Sequence, residues 1–342
     1  MNIKTIKLNS GEFFKYDESS PQFQSYERAM SNIVALRQDE SLFGARQLEY
    51  LRQKVYQPAN AELKFINGGI IPINTAIPEG VDVDSYEMLT GFGEAKVISD
   101  WADDIGTVEI IAETGLGKIK SIAEAYMYSV QDLRKDKLLG SVGKSSVQNK
   151  AIIARRIIDE KLDKMLRVGD EAHGIKGLLN ADYVPSTAAA ATGSGSATTF
   201  VSKTAANILA DFEKALSDMN DLTNGSEVPN TCLIDSTNHT IIKNKALDTT
   251  LYSGKSVLKY IEEEYNLKVI SVAQLKNAFV GGTKSGFVLY NNNTERLEGV
   301  LPIRLMIHPP QLKNLATKNI LEARCGGVRV FYPYSVSITT GI

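Results

Sequence analysis

The sequence is short of the residues that usually announce chemistry. In 342 residues it has two cysteines, Cys232 and Cys325, three histidines, His173, His239 and His308, and a single tryptophan. The cysteines are far apart and lack the paired spacing of a zinc or redox motif, so they read as reduced, cytoplasmic-type thiols, with a disulfide between them left open. No histidine has a partner at metal-ligand or triad spacing, and each reads as structural. An excess of charge of one sign is also missing. The 38 basic and 40 acidic residues are mixed along the chain and leave a net charge of -2, which excludes the electrostatic footprint of a tight nucleic-acid binder. No apolar run approaches the roughly 20 residues of a membrane-spanning helix. The opening stretch MNIKTIKLNSGEFFKYDESS lacks the apolar core of a signal peptide.

What is present is ordinary globular material. Hydrophobic residues make up 43% and charged residues 23%, and the length suits two lobes of ordinary domain size. The first 65 or so residues form a polar leader in which Leu42, Phe43, Leu48, Leu51 and Val55 recur at helical spacing. Such a stripe finds little apolar material nearby and predicts an arm that buries itself elsewhere. Further on, Val97-Ile98 and Val108-Glu109-Ile110-Ile111 flank the acidic stretch around Asp100, Trp101, Asp103 and Asp104, which predicts two extended arms joined by a turn. Thr114-Gly115-Leu116-Gly117 reads as a second turn. A long hairpin of this kind cannot bury both faces on its own body, so it projects or lies on a partner.

The strongest periodicity runs over residues 145–167, where Val147, Ala151, Ala154, Ile158, Leu162 and Met165 form one apolar stripe. Ser145 and Ser146 are the candidate N-terminal caps and Gly169 the permissive residue past the end. The other face, with Arg155, Arg156, Asp159, Glu160, Asp163 and Lys164, reads as wet or turned to a polar neighbour, with Arg155–Asp159 and Glu160–Lys164 placed as surface pairs. The stretch STAAAATGSGSATT offers little to pack and reads as a loop or linker. An αβ pattern follows: helices over 205–222, 236–244 and 256–265, and strands at 231–235, 268–271 and 286–290. The final forty residues read as strands at 303–307, 320–332 and 335–340, the middle one interrupted by a bulge at Gly326-Gly327.

Catalytic constellations are weak. Asp100, Asp103 and Asp104 could be taken for a metal site or an acid and base pair, but an exposed acidic turn without a nearby histidine is more often solvated or paired with a neighbour's Lys or Arg. Gly115-Leu116-Gly117-Lys118 lacks the spacing of a phosphate loop, and Ser194-Gly195-Ser196 lacks that of a nucleophile elbow. No catalytic, cofactor or metal site is assigned.

The order of parts, carried by Gly93-Glu94-Ala95-Lys96-Val97-Ile98, Asp103-Asp104-Ile105, Ala154-Arg155-Arg156 with Glu160-Lys161, Gly169-Asp170 and Arg324-Cys325-Gly326-Gly327-Val328-Arg329-Val330, resembles the major capsid proteins of tailed bacteriophages. That is the Hong Kong 97-type capsid fold, also found in encapsulin shells, and within it the chain looks like the major capsid family that carries a domain of unknown function. The resemblance implies an α+β fold with an N-terminal arm at 1–65, a connector at 66–81 and an extended β-hairpin loop at 82–127. It further implies a peripheral domain at 128–202 and 300–333 around the spine helix 145–167, and an αβ axial domain at 203–299 and 334–342.

By the same resemblance the protein is a shell subunit, assembling as hexamers and pentamers in the host bacterial cytoplasm into an icosahedral head around double-stranded DNA. Scaffold, portal and cement proteins are possible partners, and neither a membrane nor a cofactor is needed. A wall that confines DNA does not have to grip its phosphates, which suits the balanced charge. Since no long scaffolding segment precedes the arm, a separate scaffold or prior processing is expected. The implied inter-subunit contacts are Leu42, Phe43, Leu48, Leu51, Asp100, Trp101, Asp103, Asp104, Lys118, Arg155 and Arg156. One relative of this fold crosslinks lysine to asparagine between subunits; Lys118 or Lys120 could supply the amine, without an identifiable asparagine. The alternatives are an encapsulin-like nanocompartment shell, separable by its contents, and a soluble hydrolase that uses the acidic turn.

Overall fold

The structure is a computed structural model that describes residues 3–7, 13–17, 61–97, 106–138, 146–252, 254–279 and 282–342. The expected leader helix around Leu42 to Leu51 and the acidic turn with Asp100 to Asp104 lie outside these residues. The chain divides into two units, residues 1–60 with 131–148, and residues 61–130 with 149–342. In the first unit β1 (Ile3–Lys7) and β2 (Phe13–Asp17) form an antiparallel pair.

The second unit opens with a short helix, α1 (Lys64–Asn67), and β3 (Ile73–Asn74). Three ten-residue strands follow, β4 (Val83–Phe92), β5 (Glu109–Lys118) and β6 (Lys120–Ser129). β4 and β5 pair along their whole length, from Val83 opposite Lys118 to Phe92 opposite Glu109. A long hairpin therefore exists, but its first arm is β4; Val97 lies beyond the paired residues and Ile98 lies outside the described ones. Asp84, Ser85, Glu87, Thr90 and Gly91 dilute the strand character of β4 in sequence. Gly115-Leu116-Gly117 is not a turn either; it lies inside β5, where neighbouring side chains press on the glycines.

Next along the chain come α2 (Val130–Leu138), which from residue 131 belongs to the first unit, and the long helix α3 (Ser146–Arg167), which at 22 residues is about 33 Å long and enters the second unit at residue 149. Its first amides are held by Asp136, whose carboxylate accepts from Ser146 N at 3.2 Å and Val147 N at 3.4 Å, so the cap comes from α2 and not from the serine at 146. Ala154, Ile158, Leu162 and Met165 are buried as the stripe requires, joined by Leu166. Past Gly169, at φ 78°, lie β7 (Gly169–Asp170), β8 (Ile175–Lys176) and β9 (Ser186–Ala188). β9 overturns part of the linker reading: its small residues pair in parallel with a strand some 150 residues later, a partner that no local pattern announces.

The αβ region holds α4 (Ala205–Thr223), β10 (Thr231–Ile234), α5 (Ser236–Asn244), α6 (Thr249–Tyr252), α7 (Val257–Glu264), β11 (Lys268–Ser271) and β12 (Gly286–Tyr290). Side-chain caps start three of its helices: Thr204 accepts from Asn207 N, Asp235 from Thr237 N and Asn238 N, and Ser256 from Lys259 N. The closing strands are β13 (Leu297–Val300), β14 (Ile303–Ile307), β15 (Gln311–Lys313), β16 (Ala316–Cys325), β17 (Gly327–Val330) and β18 (Val336–Thr340).

Three sheets organise the second unit beside the hairpin and the small β7–β8 pair. One has the order β11-β10-β12-β18-β9, a second β17-β13-β3, and in the third β16 carries β14 and β15 on one edge and β6 on the other. Gly326-Gly327 is not a bulge in one long strand but the step by which the chain leaves the third sheet for the second. Gly327 has φ 79°, and a β-carbon there would overlap the Lys176 carbonyl oxygen, so only glycine permits the step.

Strand alternation divides the core in two. Cys232, Ile234, Phe287 and Leu289 face α4, α5 and α7 across Ile208, Phe212, Ile242 and Ile261. Leu233, Val288 and Tyr290 face the other way, into a cluster with Phe65, Ile70, Ile158, Leu162 and Leu166. Tyr290 Oη, buried there, donates to Ile70 O at 2.6 Å. Both cysteines are free and buried, and burial pushes both thiols up, that of Cys325 to about 11.

Candidate assembly surfaces

Two parts of the second unit expose apolar side chains that nothing in the described chain covers. In the hairpin, alternation is kept only near the root: Asp84, Tyr86 and Met88 are partly covered, whereas both faces are wet from Leu89 to Phe92 and from Glu109 to Thr114. Leu89 is 68% exposed, Phe92 54%, Ile110 67% and Ile111 52%. Covering fractions of that size would release about 4–7 kcal/mol per hairpin, from roughly 1.5–3 kcal/mol for a whole apolar side chain.

The second surface is on α3. Outside the buried stripe stand Ile152, Ile153 and Ile157, all exposed. Sequence reasoning assigned this face to water and charge; the isoleucines were hidden in it because charged residues follow closely after them. Arg156 beside them donates to Glu160 at 2.6 Å, and Arg155 faces Asp159 at 3.9 Å. The first of these replaces the expected Glu160–Lys164 pair. Both pairs are solvent-facing and add little stability by themselves. A smaller apolar edge sits at the end of the third sheet, with Ile307, Leu312 and Leu315 exposed beside Met127 and Val130.

Of the residues expected at contacts, Lys118, Arg155 and Arg156 lie among the described residues and are not brought together into one cluster. Lys118 ends β5, and its Nζ lies close to Gly174. Leu42, Phe43, Leu48, Leu51, Asp100, Trp101, Asp103 and Asp104 lie outside the described residues.

Several charged groups do structural work that the sequence concealed. Asp163, expected on the wet face, is buried and accepts Phe65 N at 3.0 Å; burial raises its pKa, against the pull of that amide and of Arg167. Lys203 and Asp211 form a buried pair, and Asp211 also accepts Ala190 N at 3.3 Å. Lys245 donates to Phe200 O at 2.7 Å and Val201 O at 3.2 Å, and burial lowers its pKa. Buried Glu227 takes Arg296 at 2.8 Å and Asn291 at 3.2 Å.

The histidines remain dispersed. His173 meets Asp170 at 3.3 Å, His308 meets Glu322 at 2.6 Å and holds that carboxyl below its usual range, and burial lowers the pKa of His239. Among the described residues no group of three His, Cys, Asp or Glu side chains could hold a metal ion, and no helix is long and apolar enough to cross a membrane.

An α+β body with a projecting two-stranded hairpin, one long helix and an αβ sheet domain is an architecture already seen in solved shells. The capsid of Myoviridae phage XM1 matches with TM-score 0.75 at 15% identity, covering 89% of this chain and 100% of that one. Gordonia phage Cozz matches with TM-score 0.55 at 12% identity over 88% and 95%. The capsid of a native GTA particle gives TM-score 0.58 at 10% identity over 87% and 97%. At such identities the likeness is one of fold, and it defines the class: the Hong Kong 97-type capsid fold. The sequence model of the family described as major capsid protein matches residues 93–342, and the chain belongs to that family. It is a capsid protein of the virion with a structural role. No curated protein matches it.

Proposed function

We propose that this major capsid protein builds an icosahedral phage head from hexamers and pentamers of itself, assembled in the host bacterial cytoplasm around double-stranded DNA. The observation that carries the reading is the hairpin, whose distal half bears apolar residues on both faces that its own body leaves in water. We infer that this half lies across a neighbouring copy, with the exposed isoleucines of α3 as part of the surface it meets. The energetics suit a shell: each contact is modest, and closure adds many of them.

In this reading residues 1–65 act as an arm, 66–81 as a connector and 82–127 as the extended loop. Residues 128–202 with 300–333 form the peripheral domain, and 203–299 with 334–342 the axial domain. Lys118, Arg155 and Arg156, with Leu42, Phe43, Leu48, Leu51, Asp100, Trp101, Asp103 and Asp104, are the proposed contact residues. Scaffold, portal and cement proteins are the proposed partners. Electron microscopy of particles formed by the expressed chain, with extraction of their contents, tests this. Closed shells that take up duplex DNA are expected in a phage background. Small shells holding an enzyme would favour a nanocompartment instead.

A further inference from the structure

The base of the hairpin is built differently from its tip. On β4 the alternate residues Asp84 and Tyr86, preceded by Asp82, turn one face towards the closing strands. Arg324 of β16 grips the chain as it enters, donating to Glu79 O, to Val81 O at 3.1 Å and to Asp82. Arg329 of β17 is 6% exposed and reaches both hairpin strands. Its Nη2 donates to Lys118 O at 3.3 Å, its Nε lies 3.7 Å from Asp84 Oδ2, and its Nη1 ties back to Gly326 O at 2.7 Å. The guanidinium lies flat where the side chain of residue 117 would be, since a β-carbon on Gly117 would overlap it. One step along, Gly115 leaves the same kind of room for Tyr86, whose ring stands edge-on to Phe331 with centroids 4.9 Å apart. Two glycines of β5 therefore admit an arginine and a tyrosine beneath the strand, which explains the Gly-Leu-Gly sequence in the middle of a β-strand.

A planar fork reaching three backbone or carboxylate groups fixes direction as well as distance, which a lysine ammonium cannot do. Arg329 Nε has no hydrogen-bond partner, so the group is placed by its two Nη contacts and the facing carboxylate.

We propose that Arg329 is a positioning residue for assembly: by joining both hairpin strands to β17 it sets the direction in which the hairpin projects, and hence the shell geometry into which the subunit closes. This rests on the reading of the hairpin as a cross-subunit contact. Arg324 secures the incoming chain, and Gly115 and Gly117 keep the seat open.

Hydrogen exchange on the wild-type full chain, as free subunits and as shells, separates the two ideas. In free subunits the root amides of residues 83–86 and 116–119 should exchange at least about tenfold more slowly than those of 88–92 and 109–114, and the latter should slow only in shells. If root and tip exchange equally fast in free subunits, the positioning role is overturned. If the tip stays unprotected in shells, the cross-subunit reading fails instead. Arg329→Met, Arg329→Lys and Gly117→Ala supply the functional arm. Each should keep the melting transition of the body while broadening the particle diameter distribution, the lysine variant less than the methionine. Uniform shells of wild-type diameter from Arg329→Met and Gly117→Ala would also overturn the proposal. Should those variants fail to fold, the wild-type exchange pattern still decides.

Discussion

Replacing Ile152, Ile153 and Ile157 together by alanine asks whether the outer face of α3 is an interface. Their exposures are 41%, 53% and 44%, so about one and a half isoleucine side chains stand in water. At roughly 1.5–3 kcal/mol for a fully buried isoleucine, covering that fraction on assembly gives about 2–4 kcal/mol per subunit. Removing it therefore weakens each contact by a factor of about 30 to 1,000, at 1.4 kcal/mol per decade. Alanine also removes the covered halves of these side chains, so the lone subunit loses some stability, offset in part because alanine is the better helix former by a few tenths of a kcal/mol each. The assays are thermal melting of unassembled subunits and light scattering against concentration. The account expects variant subunits that remain folded at the assay temperature and an assembly threshold raised by at least tenfold. Assembly at the wild-type threshold would refute the reasoning, as would a loss of assembly that merely follows a fall in subunit stability.

Asp163→Ala strands Phe65 N inside the core and should cost about 1–3 kcal/mol, whereas Asp163→Asn keeps an acceptor and should be far milder; denaturant melts compare them. Because burial raises the Asp163 pKa in the fold, the native state binds a proton more readily than the unfolded chain. Stability should therefore rise as pH falls through the folded value towards the ordinary carboxylate range, and Asp163→Asn should flatten that slope. Tyr290→Phe leaves Ile70 O without its buried donor and should cost about 1–3 kcal/mol by the same measurement. Gly327→Ala should yield little soluble protein on expression, because a left-handed backbone and the Lys176 carbonyl both oppose a side chain there.

What could be read from the sequence was whatever local periodicity writes. The stripe Ala154, Ile158, Leu162 and Met165 located α3 to within a residue, and the apolar segments 231–235 and 286–290 located β10 and β12, the strands dividing the core. What escaped depends on distant partners. β9 is a strand because β18 lies beside it, and Asp163 is buried because Phe65, 98 residues away, offers its amide. The glycines of β5 look like a turn until Tyr86 and Arg329 are seen under them. The same holds for the surfaces: Ile152, Ile153 and Ile157 sit among charged residues, and only their exposure in the fold marks them as unpartnered.

The most direct test is a cryo-EM reconstruction of particles assembled from the full chain. The account predicts closed shells in which Leu89, Ile110 and Ile111 of each hairpin are covered by the next copy. Stable monomers, or shells that leave those side chains in solvent, would contradict it.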